Sequence, residues 1–134
     1  MGTMPGRFIL KYDFLEAPRV WDAISSEVSA NYPQDDLIRI RLGLTEIINN
    51  IVEHASNGQD DARFSLRILK LESGLFLCLS YAGPAFVPPP DALDAEKVLA
   101  SERTRGRGLW LISQCFTQVR YRDRGLTQRV IARL

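Results

Sequence analysis

Glu46, Asn50 and His54 recur at intervals of four within Leu44-Thr45-Glu46-Ile47-Ile48-Asn49-Asn50-Ile51-Val52-Glu53-His54-Ala55. On an α-helix that interval stacks the three side chains along one stripe. The stripe runs beside strongly apolar positions, where an unpartnered carboxylate or amide is costly to bury. An asparagine amide oxygen is a neutral ligand for Mg²⁺, and a glutamate one turn away can orient a water or hydroxyl. The plain alternative is the solvated face of an amphipathic helix, because Glu-x-x-x-Asn by itself is a common pattern.

A second candidate is Thr104-Arg105-Gly106-Arg107-Gly108-Leu109-Trp110-Leu111-Ile112. Glycines let a backbone approach phosphate closely, and a helix that starts there aims unpaired N–H groups at the anion. A lone Gly-x-Gly is weak evidence, since an ordinary helix entry explains it equally well. It does not follow a strand, which excludes a dinucleotide-binding fingerprint of the Rossmann type. Arginines also gather in the last third of the chain: Arg103, Arg105, Arg107, Arg120, Arg122, Arg124, Arg129 and Arg133. They read either as a solvated basic face or as a site for an anion or partner.

The elements that must position these residues follow from periodicity. Phe8, Leu10, Tyr12 and Phe14 alternate with Ile9, Lys11 and Asp13, which predicts an N-terminal strand. Val20, Ile24 and Val28 recur every four residues after Pro18, so a helix runs to about Asn31, where Tyr32-Pro33 stops it. Asp35 or Asp36 is expected to cap a second helix that carries Glu46 and ends near Ala55, before Asn57-Gly58. Strands are expected at Phe64–Leu71 and Leu75–Leu79 around a Glu72-Ser73-Gly74 turn; the second is apolar on both faces, as a central strand would be. Residues 82–105 are rich in proline and form a long connection of the kind that often serves as a lid. A helix from Leu109 to about Phe116 and strands near Gln118–Arg122 and Thr127–Leu134 complete the chain. The order β, α, α, β, β, lid, α, β, β describes an α+β sandwich with the helices on one face of the sheet.

Bulk properties narrow the function. The 134 residues suit one domain, nearly half of them are apolar, and the formal net charge is +1. Such a balance gives no general pull toward nucleic acid or anionic membrane. Cys78 and Cys115 lie in apolar runs and, with a single histidine in the chain, a zinc site is not expected; they read as buried free thiols in a reducing cytosol. No apolar stretch is long enough to span a bilayer, the start lacks the order of a signal peptide, and a cytoplasmic location is expected.

Taken in order, the motifs resemble the GHKL superfamily, the histidine-kinase-like ATPases of the Bergerat fold, and within it the anti-sigma-factor serine/threonine kinases. Glu46, Asn50, His54 and Ala55 match the family's helix motif. Tyr81-Ala82-Gly83-Pro84-Ala85-Phe86 aligns with its Asp-x-Gly motif, and Gly106-Arg107-Gly108-Leu109-Trp110-Leu111-Ile112 with its glycine motif. The resemblance covers roughly residues 8–134. It implies a two-layer α/β sandwich with a mixed, mostly antiparallel sheet, spanning 1–134 as one domain with a lid at about 84–105. It implies Glu46 as general base, Asn50 holding Mg²⁺ against the phosphates of ATP, and a nucleotide site that includes His54, position 81, Gly83, Arg105, Gly106, Arg107, Gly108 and Leu109. The implied partner is a STAS-domain anti-anti-sigma protein or a sigma factor, met by a homodimer without direct contact to nucleic acid or membrane. At one position the pattern departs: Tyr81 stands where the family's aspartate accepts a hydrogen bond from adenine. Two readings of function follow, a protein serine/threonine kinase that also acts as an anti-sigma factor, and a non-catalytic module of the same fold that regulates a partner by binding alone.

Overall fold

A computed structural model describes residues 6–55, 61–83 and 106–134. Their elements run β1 (Arg7–Lys11), α1 (Glu16–Asn31), α2 (Gln34–Ala55), β2 (Arg63–Leu71), β3 (Gly74–Ala82), α3 (Gly106–Cys115), β4 (Gln118–Asp123) and β5 (Thr127–Arg133). The strands form one sheet in the order β1-β2-β3-β5-β4. The element order is the expected one, and the architecture is α+β, with β3 at the centre of the sheet. The expected mixed sheet is corrected: every pairing among the described strands is antiparallel.

One face of the sheet makes the core. Leu10, Phe64, Leu66, Ile68, Leu75, Leu77, Leu79, Val130 and Ala132 project from it onto Val20, Ile24 and Val28 of α1 and Ile40, Leu44, Ile47, Ile48 and Ile51 of α2, all buried. Strand side chains alternate by face, so the intervening residues look outward. Across the register, one outward row reads Arg7, Arg67, Cys78, Ile131, Arg120, and the next reads Ile9, Ser65, Ser80, Arg129, Arg122.

Several boundaries move for local reasons. β1 stops at Lys11 rather than continuing to Phe14. Asp13 ends it: its Oδ1 accepts from the Leu15 N–H (2.8 Å) and its carbonyl from the Glu16 N–H (3.1 Å), so the chain turns into α1. Phe14 is left more than half exposed. Helix α2 begins at Gln34, which places Asp35 and Asp36 inside its first turn, where they favour the positive end of the helix dipole, rather than at the cap. Strand β3 extends beyond Leu79 to Ala82. Helix α3 starts at Gly106, earlier than the expected Leu109, so the glycines form its first turn instead of a loop before it.

The two ends of the sheet are distinct. At one end Tyr32, just past α1, accepts from the Leu75 N–H (3.2 Å), and the Leu134 N–H donates to the Leu75 carbonyl (3.0 Å). At the other lies Gly83, whose φ of +145° favours glycine; its N–H donates to the Leu126 carbonyl (3.3 Å). Helix α2 starts at the Tyr32 end and finishes toward the Gly83 end.

Candidate functional site

Helix α3 is locked against the first half of α2. Cys115 and Phe116 close directly over Gly43, where a Cβ would lie 2.7 Å from the Cys115 Cβ and 2.6 Å from the Phe116 ring. Only glycine permits that approach. The Arg39 guanidinium donates to the Cys115 carbonyl, satisfying a C-terminal orphan of α3, and the Thr117 N–H donates to the Arg133 carbonyl (3.0 Å). The C-terminus of α3 is thereby fixed at the Tyr32 end. Its ten residues rise ~15 Å back along α2. Packed along α2 in the opposite direction from that end, α3 would bring its first turn, Gly106 to Leu109, toward the level of Asn50 to His54 and the Gly83 end of β3.

Along α2, Glu46 and Asn50 are both half-buried and His54 is exposed. Burial pushes the Glu46 carboxyl above its usual range. Its negative charge reaches the Cys115 thiol, which is raised first by burial and then by Glu46, against the lowering effect of Arg39. Glu46 lies one turn past Gly43, the residue over which Cys115 and Phe116 close, and so on the side of α2 that faces α3. His54 Nε2 lies 3.9 Å from Glu53 Oε2 at the solvent-facing end of the helix. Among the described residues no group of three His, Cys, Asp or Glu gathers, so a bound Mg²⁺ would rest on Asn50, phosphate oxygens and water. Arg105 and the lid at 84–105 lie outside the described residues.

Position 81 is the informative one. Tyr81 is 8% exposed and belongs to the core cluster. On one side it neighbours Phe64, which packs against Tyr12 at 4.9 Å between ring centroids; on the other it faces Gln128. Its hydroxyl is held neutral: burial raises its pKa, and Tyr12 adds to the rise. Tyr121, partly buried and influenced by Tyr81, is pushed up to about 12. Three phenols therefore converge on the helix-facing side of the sheet near its Gly83 end. A buried neutral hydroxyl thus occupies the position that the family resemblance aligns with an adenine-binding carboxylate, and it does not fit that role.

Two residues without a motif prove important. Gln128 is 3% exposed, and its Nε2 donates to the Asp123 carboxylate (2.9 Å), the Gly83 carbonyl (3.1 Å) and the Gly125 carbonyl (3.3 Å). It ties the β4–β5 turn to Gly83. The inward alternation of β5 could have flagged a buried amide, though not its partners. Asn49 Oδ1 is buried without a hydrogen-bond partner; beside Asn50 in sequence, it carries no signal of its own.

The histidine kinase-like ATPase domain family matches residues 16–134. A chain in the crystal structure of the SiaB-SiaC complex from Pseudomonas aeruginosa superposes with a TM-score of 0.63 at 14% identity, covering 97% of this chain and 90% of that one. At this identity the likeness speaks for the fold. None of the curated proteins matches the sequence. With the three motifs in register on this architecture, and the family matching from α1 to the last strand, the chain belongs to the histidine kinase-like ATPase domain family.

Proposed function

We propose that the protein is a regulator of the anti-sigma type that binds Mg-ATP and acts on a protein partner as a serine/threonine kinase. The observation that carries this reading is the half-buried Glu46–Asn50 pair, set on the face of α2 toward an antiparallel α3 whose glycine-rich first turn lies at the same end of the domain. Asn50 would hold the metal against the phosphates. Gly106, Gly108 and the free N–H groups of the α3 start would receive phosphate oxygens, and the family resemblance adds Arg105, Arg107, Leu109 and His54 to that site. Bound Mg-ATP supplies the transferable phosphoryl group. Glu46, whose raised pKa makes it the more basic for its burial, would take the proton from the partner's hydroxyl. The partner class is a STAS-domain protein or a sigma factor. Support comes from the family resemblance and from the neighbouring Pseudomonas aeruginosa fold, which is seen in complex with another protein.

The second reading, a module that regulates by binding alone, is favoured by the burial of Tyr81 in the core. Titrating Mg-ATP into the protein by calorimetry separates the two. Binding that is lost in Asn50→Ala supports the kinase; undetectable binding replaces it with the non-catalytic module. A homodimer in a cytoplasmic setting completes the proposal. No helix among the described residues is long and apolar enough to cross a membrane.

A further inference from the structure

The outward face of the sheet carries no Asp or Glu at any described position, although the chain as a whole is nearly neutral at +1. Its cations are set directly opposite one another: Arg7 faces Arg67, Lys11 faces Arg63, and Arg122 faces Arg129. Like charges in direct cross-strand register destabilise a sheet, and here the arrangement occurs three times. Among the described residues none of Arg7, Arg67, Arg122 and Arg129 belongs to an ion pair. Arg129 Nε is moreover buried with no hydrogen-bond partner. Between the two charged margins run Phe76, Cys78 and Ile131, all partly accessible. Arg133 lies over the Phe76 ring, 6.0 Å from its centroid.

We propose that this face docks an acidic protein surface, whose apolar centre meets Phe76, Cys78 and Ile131 while its carboxylates meet the flanking arginines. An apolar centre with an arginine-rich margin is the anatomy of a protein–protein interface. Single-stranded nucleic acid needs aromatic platforms for its bases, and among the described residues the one outward aromatic ring of the sheet, Phe76, is already covered by Arg133. The face is small: strands ~4.8 Å apart and same-face residues ~6.8 Å apart give a flat area of roughly 400 Å². It belongs to the low end of interface sizes and suits a transient contact. The surface lies on the side of the sheet away from α2 and α3, so docking there does not depend on whether nucleotide binds.

The test uses fluorescence anisotropy on the full chain with four probes of matched charge: a helical peptide with a leucine stripe framed by glutamates, polyglutamate, oligouridylate and phosphatidylserine vesicles. The leucine–glutamate peptide is expected to bind at least about tenfold more tightly than the other three, with an affinity that falls as salt rises. Ile131→Ser should erase its advantage over polyglutamate. Arg67→Glu combined with Arg129→Glu should abolish binding. Should that double variant not fold, Arg67→Gln with Arg122→Gln, which removes like-charge contacts and leaves the core untouched, should weaken binding at least about fivefold. Equal binding of polyglutamate and the peptide overturns the proposal, as does an equal or tighter response to oligouridylate or vesicles, or no binding at all.

Discussion

Under the proposed function, a phenol at position 81 and a carboxylate at position 46 set the chemistry this domain would perform. Tyr81 is buried and neutral. Tyr81→Asp restores a charged acceptor for the adenine amino group, and ATP affinity should rise by roughly 1.5–3 kcal/mol, or about tenfold or more. The gain should be absent for GTP, because guanine presents a carbonyl at that place. Without ligand the same variant should melt lower, since it buries an unpaired charge; calorimetry and thermal denaturation read the two effects separately.

Glu46 and Glu16 predict opposite pH slopes. Burial raises the Glu46 pKa, so the folded state holds this proton more tightly than the unfolded chain does. Stability from this group falls as pH rises from the ordinary carboxylate value through the raised folded value. Glu46→Gln should therefore raise the melting temperature at pH 7, with the difference from the parent closing near pH 4, while any kinase activity is lost. Glu16 behaves in the opposite sense. Hydrogen bonding to Arg19 lowers its pKa against burial, and the Lys11 N–H adds to the lowering. Its contribution is present above the ordinary carboxylate value and is lost as pH falls through the lower folded value. Glu16→Gln should destabilise at pH 7 and match the parent at low pH.

At the scale of the element, the seam between α2 and α3 decides where the glycine motif points. Gly43→Ala places a methyl group 2.6 Å from the Phe116 ring. Overpacking of this kind typically costs about 1–3 kcal/mol, so a melting temperature lower by several degrees is expected, together with weaker Mg-ATP binding as α3 is displaced. The outward sheet face gives the reverse effect. Arg122→Gln relieves its opposition to Arg129, and the free protein should melt slightly higher, with the gap shrinking as salt screens the parent.

Most elements were legible in the sequence because their signals are local. The apolar period of Val20, Ile24 and Val28 and the alternation of Phe64 to Leu71 each require one kind of backbone. The Glu46–Asn50–His54 stripe needed only the helical repeat. What escaped depended on contacts distant in the chain. Gly43 reads as an indifferent helix residue until Phe116 is packed on it, and Gln128 until Gly83 arrives beside it. The arginines of the last third gave a basic cluster in the sequence, yet only strand register sets Arg122 against Arg129, and it also brings in Arg7 and Arg67 from the first half.

For the whole molecule, β1 is an edge strand, the position an exposed dimer surface would use. Its inward residues are not free for such a contact, because Leu10 is fully buried and Phe8 and Tyr12 pack on the chain's own core. A homodimer joined through β1 would place Arg7 and Lys11 of the two copies near one another, so it should tighten with salt; light scattering at high micromolar concentration, at low and high ionic strength, tests for it.

The strand order has a consequence for synthesis. β5, made after β4, is not at the margin of the sheet but between β3 and β4. While the ribosome is still adding it, β3 has a partner among the described strands on one side only, and β4 has none among them. The apolar run Leu75 to Leu79 is then open along one edge, which is the condition under which nascent chains pair with one another. Chains arrested shortly before Thr127 should therefore collect in the insoluble fraction, while those extended through β5 should not.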